Sequence, residues 1–421
     1  MSAAAALGGA GYRVELFEAR PFLGGRATSF PLAPSDDASE QIDNCQHVLL
    51  RCCVNLLDFY ERLGVRDRIR FYREFYFIEP GGRLSTLRRG RLRAPLHFTG
   101  SFLKLRFLGA ADKLAIARGL AALRRERTRR ADLDRITMLD WLLQKRQTPR
   151  AIERFWRQVL VSALNEDLDR MAARHGFQVF WLGFLARADG YEMGVPAIPL
   201  GELYRAEQWQ RIGQVTLRLR APVEHLDGAG ILAGGERHAA DYYICAVPFE
   251  RLAPLGLPAP DFEHSPITGI HLWFDRPVTG LAHATLLDRT IQWMFNKSEG
   301  RYLQLVVSAS RELSGMSRAE IVELALGELA EFFPAVKEAH LEKAHVIKEQ
   351  RATFSAAPGT EGLRPTSATG RPDLFLAGDW TRSGWPATME GAVRSGYLAA
   401  EAVARACGRP QRFLLPDMAS E

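Results

Sequence analysis

Cysteine is scarce, and what there is does not pair. Five of the 421 residues are cysteines, Cys45, Cys52, Cys53, Cys245 and Cys407, an odd number with two adjacent and none in the spaced C-x-x-C units that grip a metal. A disulfide framework is therefore not expected, nor a structural zinc site; reduced thiols in a cytoplasmic protein are. Long apolar runs are missing too, since charge interrupts each one before the roughly 18 residues a spanning helix requires. The opening stretch MSAAAALGGAGYRVELFEAR has neither the basic start nor the long apolar centre of a secretory signal. G-x-S-x-G, H-E-x-x-H and the P-loop pattern are absent, which leaves hydrolase and phosphotransfer readings without support. Acid is what one segment lacks. Residues 62–130 carry nineteen Lys and Arg against five Asp and Glu, although the whole chain is only +6.

What is present is the composition of an ordinary globular protein, 47% apolar, 10% aromatic and 25% charged, long enough for two domains. Val14, Leu16 and Phe17 make a short strand after a glycine-bounded helix end, and the loop PFLGGRATSF follows. The spacing of Val48, Leu49, Cys52, Leu56, Leu57, Tyr60 and Leu63 predicts an amphipathic helix over Cys45–Gly64. Strand-like runs follow at Phe71–Glu79 and around Leu84. Residues 101–184 read as mostly helical, broken at Pro149 with Thr148 as a cap. Beyond Pro196 and Pro199 the pattern turns to strands, then to a helix at Arg318–Phe333, a last strand in DLFLAGDW and a closing helix over Met389–Cys407.

Two clusters carry chemistry. In the first, Glu18 ends a strand, where a carboxylate can accept bonds from the ribose hydroxyls of a dinucleotide. Gly24 and Gly25 then let backbone approach a diphosphate, and Arg26 adds a charged donor; alone, GGR is more often a surface turn. In the second, some 350 residues on, a buried strand ends in Gly378 and Asp379, and Met389, Glu390, Gly391 and Ala392 open a helix whose free N–H groups favour phosphate or an electron-rich carbonyl. A capped strand–helix unit is the plain alternative for that cluster. Two such units at opposite ends of one chain are harder to dismiss.

These residues, EAR-PFL-GGR near the start and AGDW-T-(x)7-MEGAVRSG near the end, resemble the flavin-dependent amine oxidase and phytoene desaturase superfamily over nearly the whole chain. Within it, IDNCQHVLLRCC with NLLDFYERLGV, LVSALNEDLDRMAA and GVPAIPLGELY resemble the squalene-associated FAD-dependent desaturase branch, the hydroxysqualene dehydroxylases of squalene and hopanoid biosynthesis. The resemblance implies an α/β fold, an FAD-binding Rossmann-like domain with a second, mixed α+β substrate domain. It assigns residues 1–80, 200–255 and 346–421 to the FAD domain, and 81–199 and 256–345 to the substrate domain. FAD contacts carry over to Glu18, Gly24, Gly25, Arg26, Val223, Gly378, Asp379 and Met389–Ala392. That family opens on a strand and a G-x-G-x-x-G turn, and this sequence starts inside the helix that follows. The expectation is a start placed too far downstream, or a truncation, and weak FAD retention.

Asp43 and His47, with Gln46, form the compact acid and amide cluster in the segment the family sets against the flavin, and are the candidates for holding or protonating a leaving hydroxyl. A structural role is the commoner fate of a lone histidine. The implied reaction is reduction of hydroxysqualene, a long-chain isoprenoid, to squalene. A phytoene-type carotenoid desaturase is the runner-up, an amine oxidase comes third, and a flavin-free prenyl-binding protein on the same fold is the alternative from another class. Residues 100–130 mix Phe and Leu with Lys and Arg. They read either as a core-facing helix with a solvated basic face or as a peripheral contact with the inner face of the membrane. No nucleic-acid reader motif accompanies the charge.

Overall fold

Helix α1, Ser2–Gly9, is buried along almost its whole length, and strand β1, Val14–Glu18, follows it directly. The computed structural model describes residues 1–32 and 40–420. The strands β2, Ser29–Pro31, and β3, Gln41–Asp43, pair antiparallel, and helix α2 spans Val54–Arg62. The expected helix over Cys45–Gly64 is thus only its second half. Leu49 and Leu50 pair instead with Gly194 and Met193, and the main chain of Arg51 bonds that of Glu192, so tertiary pairing overrides the apolar spacing of the first half.

Strands β4, Glu74–Glu79, and β5, Arg83–Arg88, form a hairpin, and α3, Ala110–Glu126, opens the helical region. As expected, Thr148 caps the turn at Pro149, its hydroxyl accepting the Ala151 N–H at 3.1 Å. Strands β6, Val215–Leu219, β7, Val223–Asp227, and β8, Tyr243–Cys245, follow. Next come β9, His264–Phe274, β10, His283–Leu286, β11, Trp293–Ser298, and β12, Tyr302–Ser308. Helix α4, Arg318–Phe332, starts at a capping box, Ser317 accepting the Glu320 N–H and Glu320 the Ser317 N–H. Strands β13, Leu341–Phe354, and β14, Leu374–Leu376, lead to helix α5, Met389–Ala406.

Two layers of this chain matter for function. Parallel pairs β1–β6 and β8–β14 make a Rossmann-like part, with α1 packed on α5. Gly396 permits that packing, because a Cβ there would sit 2.1 Å from Ser2 Oγ. The second layer is a seven-stranded mixed sheet in the order β13-β9-β12-β11-β10-β4-β5. Alternation divides its side chains: Ile270, Leu272, Met294, Leu303 and Leu305 pack on one face against Ile321, Ala325 and Leu329 of α4. The opposite face, with Phe77, Phe295 and Val306, packs under the helices between residues 105 and 185. This sheet draws on both sides of the expected limits at 80/81 and 345/346, through β4 and β13.

Candidate functional site

Open parallel sheets bind ligands beyond the carboxyl ends of their strands, and both chemistry-bearing clusters lie there. Glu18 closes β1, and its Oε1 accepts the Arg20 N–H at 2.8 Å. The next turn of chain bonds back onto this end: the Ala221 N–H reaches the Glu18 carbonyl at 2.9 Å and the Arg220 N–H that of Arg20 at 3.0 Å. Val223, which begins β7, is thereby brought to the end of β1. Gly24 has φ +120° and a Cβ there would lie 2.5 Å from the Ala27 carbonyl, so only glycine fits; Gly25, at φ +62°, faces open space.

Arg26 joins the two ends of the chain. Its guanidinium pairs with the buried Asp379 carboxylate at 2.5 Å and donates to the Ala352 carbonyl at 3.0 Å, and Asp379 raises its pKa. Gly378, at φ +144°, donates its N–H to Ser395 Oγ at 2.8 Å, which fixes the strand end over α5. At the start of α5 the Thr388 hydroxyl accepts the Gly391 N–H at 3.0 Å, and the Ala392 N–H bonds the Thr388 carbonyl. The N–H groups of Met389 and Glu390 have no carbonyl within the helix to bond. Glu390 turns its carboxylate away, accepting from the Asn55 N–H, Asn55 Nδ2 and the Leu56 N–H at 3.2, 2.9 and 2.7 Å. It caps α2 and offers the site only its backbone.

These groups suit an FAD. Glu18 at a strand end could accept from a ribose, Gly25 leaves room for a diphosphate, Arg26 could stand as the cation beside it, and the first turn of α5 presents N–H groups.

Asp43 is locked from three sides. Its Oδ1 accepts from Ser29 Oγ at 2.6 Å and the Leu200 N–H at 2.9 Å, and its Oδ2 accepts from Lys297 Nζ at 3.3 Å. Lys297 also donates to Gln46 Oε1 at 3.0 Å. His47 has Nδ1 2.9 Å from the Cys45 carbonyl; a carbonyl only accepts, so Nδ1 bears hydrogen and Nε2 is left as an acceptor. Burial, with Arg26 and Lys297 nearby, lowers its pKa, and the ring is neutral at pH 7. It can receive a hydroxyl proton's hydrogen bond and cannot act as the acid. Burial pushes Cys45 up to about 12, so it supplies no thiolate.

Lys297 is the group that sequence reasoning passed over. Its signal was there: it is the lone lysine of the strand WMFNKS, two residues from Phe295 and four from Trp293. Aromatic rings continue from that point toward the surface. Phe295 stacks on Trp293 at 5.6 Å, Trp293 meets Phe75 at 6.2 Å, Phe75 meets Phe184 at 6.4 Å and Phe184 meets Phe98 at 6.2 Å. The Lys297–Asp43 pair thus lies two residues along the strand from Phe295, where this series of ring contacts begins.

The family model described as flavin containing amine oxidoreductase matches residues 1–404. Zeta-carotene desaturase of Synechocystis sp. is 26% identical, over 99% of this chain and 97% of that protein. The 15-cis-phytoene desaturase of Solanum lycopersicum is 26% identical, over 98% of this chain and 78% of that one. Among solved structures, an oxidoreductase from Methanosarcina mazei superposes with a TM-score of 0.68 at 18% identity, covering 96% of this chain and 97% of the other. Putrescine oxidase with putrescine bound gives 0.63 at 17% identity, covering 96% of each.

Proposed function

The chain belongs to the flavin-containing amine oxidoreductase family, and on that premise we propose that it is an FAD-dependent enzyme that reductively removes the hydroxyl of a long-chain isoprenoid alcohol, hydroxysqualene, to give squalene. The observation that carries this reading is the Lys297 ammonium, held between Asp43 and Gln46 at the end of the aromatic series. A hydrocarbon offers such a cation nothing to bond; an alcohol oxygen does. Bound FAD in its reduced form supplies the hydride that replaces the oxygen on carbon. The protein's own part is to release that oxygen as water. Asp43 fixes Lys297, one N–H of the ammonium is left for the substrate oxygen, and proton transfer from it lets the C–O bond break. His47 Nε2 accepts the O–H and turns a lone pair toward Lys297. The allylic cation that develops is delocalised, and the aromatic faces keep water from it.

The segments 1–80, 200–255 and 346–421 are proposed to hold FAD, and the remainder the substrate. A water-insoluble C30 substrate also fits a peripheral contact of the basic, apolar surface near residues 100–130 with the inner face of the membrane. No helix among the described residues is long and apolar enough to cross one. A second reading, carotenoid desaturation, is favoured by the names of the curated relatives. The test is to give FAD-loaded protein and a reductant hydroxysqualene, and separately to give the oxidised protein phytoene. Squalene, with deuteride from the flavin on the carbon that lost oxygen, supports the reading; desaturated phytoene without squalene replaces it by the second. Protein that takes up no flavin and retains a prenyl chain refutes both.

A further inference from the structure

Residues 377–388 join β14 to α5 as neither strand nor helix, yet Asp379, Trp380, Thr381, Ser383, Trp385 and Ala387 are all buried. A buried loop cannot leave its main-chain groups to water, so their partners must come from the protein. Much of this loop is held by one side chain, Arg364, itself only 1% exposed. Its Nη2 donates to the Asp379 carbonyl at 2.9 Å, to the Thr381 carbonyl and to Ser383 Oγ at 3.3 Å. Its Nη1 donates to Glu361 Oε2 at 2.7 Å. The guanidinium therefore stands between a buried carboxylate on one side and three oxygens of the loop on the other.

Two further side chains tie the same loop. Arg394 of α5 donates from Nε to the Ser383 carbonyl at 3.1 Å and from Nη1 to Asp417 Oδ1 at 2.9 Å. Gln178, from the helical region, donates from Nε2 to the Gly384 carbonyl at 3.0 Å. Ser383 is thus bonded through its hydroxyl by Arg364 and through its carbonyl by Arg394. Near one end of the loop Asp379 gives its carboxylate to Arg26 at 2.5 Å; at the other Thr388 caps α5, whose first N–H groups have no carbonyl within the helix. The placement of these two ends relative to each other follows from the loop's shape, and side chains from outside the loop fix that shape. A planar fork suits the task. It bonds a carboxylate through one nitrogen and carbonyls through another in fixed directions, which a single ammonium does not.

We propose that Arg364 is a positioning residue of the FAD site: it holds Asp379 against Arg26 and sets the start of α5 where its free N–H groups can serve the cofactor. The inference concerns the cofactor alone and goes beyond the reading above, so it stands or falls whichever isoprenoid is the substrate. Arg364→Lys keeps a positive charge beside Glu361 and removes the fork. Equilibrium dialysis of the FAD-loaded variant should give a Kd for FAD roughly tenfold or more above the original. The visible circular dichroism of the flavin bound at saturating FAD should change as well, because the ring is held differently. Leu329→Ala is the comparison. It opens the core under α4 and destabilises the chain, yet it should leave the FAD Kd within about twofold and the dichroism as it was. If Arg364→Lys does not fold, Ser383→Ala, which deletes the side-chain oxygen that Arg364 holds, decides the question by the same two measurements. An FAD Kd within about twofold of the original with unchanged dichroism, in the variant that folds, overturns the proposal. So does Leu329→Ala weakening FAD as much as that variant, since the effect is then one of general stability.

Discussion

Replacing Lys297 by methionine removes the group on which the proposed chemistry turns, and the structure fixes how large the separate effects should be. Asp43 keeps its bonds from Ser29 and from the Leu200 N–H on Oδ1, and only Oδ2 loses a partner. Stranding one partner of a fully buried pair costs about 3–5 kcal/mol. Lys297 is one-fifth exposed and Asp43 stays half satisfied, so about 2 kcal/mol of stability is the expected loss. Lys297→Met with Asp43→Asn should recover at least half of it, since no unpaired charge is left. Activity should behave differently. Loss of a general acid lowers turnover by roughly 10²–10⁴-fold, and the double variant should not recover it. Urea unfolding measures the first effect, and squalene formed per bound flavin at saturating hydroxysqualene measures the second. Turnover within tenfold of the original, in a folded Lys297→Met protein with full flavin content, would refute the assignment of Lys297 as proton donor.

Four further outcomes are expected. Glu18→Ala should weaken FAD binding by about 1–3 kcal/mol in a flavin titration, through loss of a charged ribose acceptor, and leave the unfolding midpoint of the flavin-free protein nearly unchanged. Gly391→Ala should abolish flavin uptake and lower Tm, because its Cβ would lie 2.4 Å from the Pro386 carbonyl. Leu92, Leu96 and Leu103 are 55%, 60% and 62% exposed in a basic stretch, and changing all three to serine should reduce co-sedimentation with anionic vesicles at least fivefold; vesicle binding that survives would place the contact elsewhere. His175 is buried and its pKa is lowered to about 3, so the unfolded chain binds more protons than the folded one from about pH 6.5 downward. Its contribution is present above that pH and is lost on acidification at up to about 1.4 kcal/mol per pH unit, and His175→Asn should flatten the measured slope between pH 6 and 4.

Much of this was legible from residue order. A short apolar strand ending in Glu18 and another ending near Gly378 are local patterns, and Gly24 after the first marks backbone that only glycine fits; both clusters fall at strand ends in the fold. The first half of the expected helix over Cys45–Gly64 was not legible, because what decides it is a bond pattern to residues 190–194, far away in sequence. Glu390 was read as a cofactor contact through the free N–H groups of a helix start, a reading its backbone leaves open. Its carboxylate also caps α2, a role visible only once residues 335 positions apart are adjacent. Lys297 escaped for a different reason: its partners Asp43 and Gln46 lie some 250 positions away, and no pattern within its own strand announces them.

The same distances explain why the cofactor site and the fold are one problem for this chain. Arg26 pairs with Asp379, Asn55 and Leu56 bond Glu390, and Ser2 packs on Gly396, so each half of the FAD site is completed by residues more than 330 positions away. None of these contacts can form before the last 50 residues are in place. A ligand seated in the FAD site bonds both halves at once and is bound by neither alone. Its binding free energy therefore adds to the closure of the Rossmann-like part. The sheet that carries Lys297 packs its own core against α4. On the reading proposed above, Asp43 and Gln46 hold the proton donor in position for the hydride that bound flavin would supply.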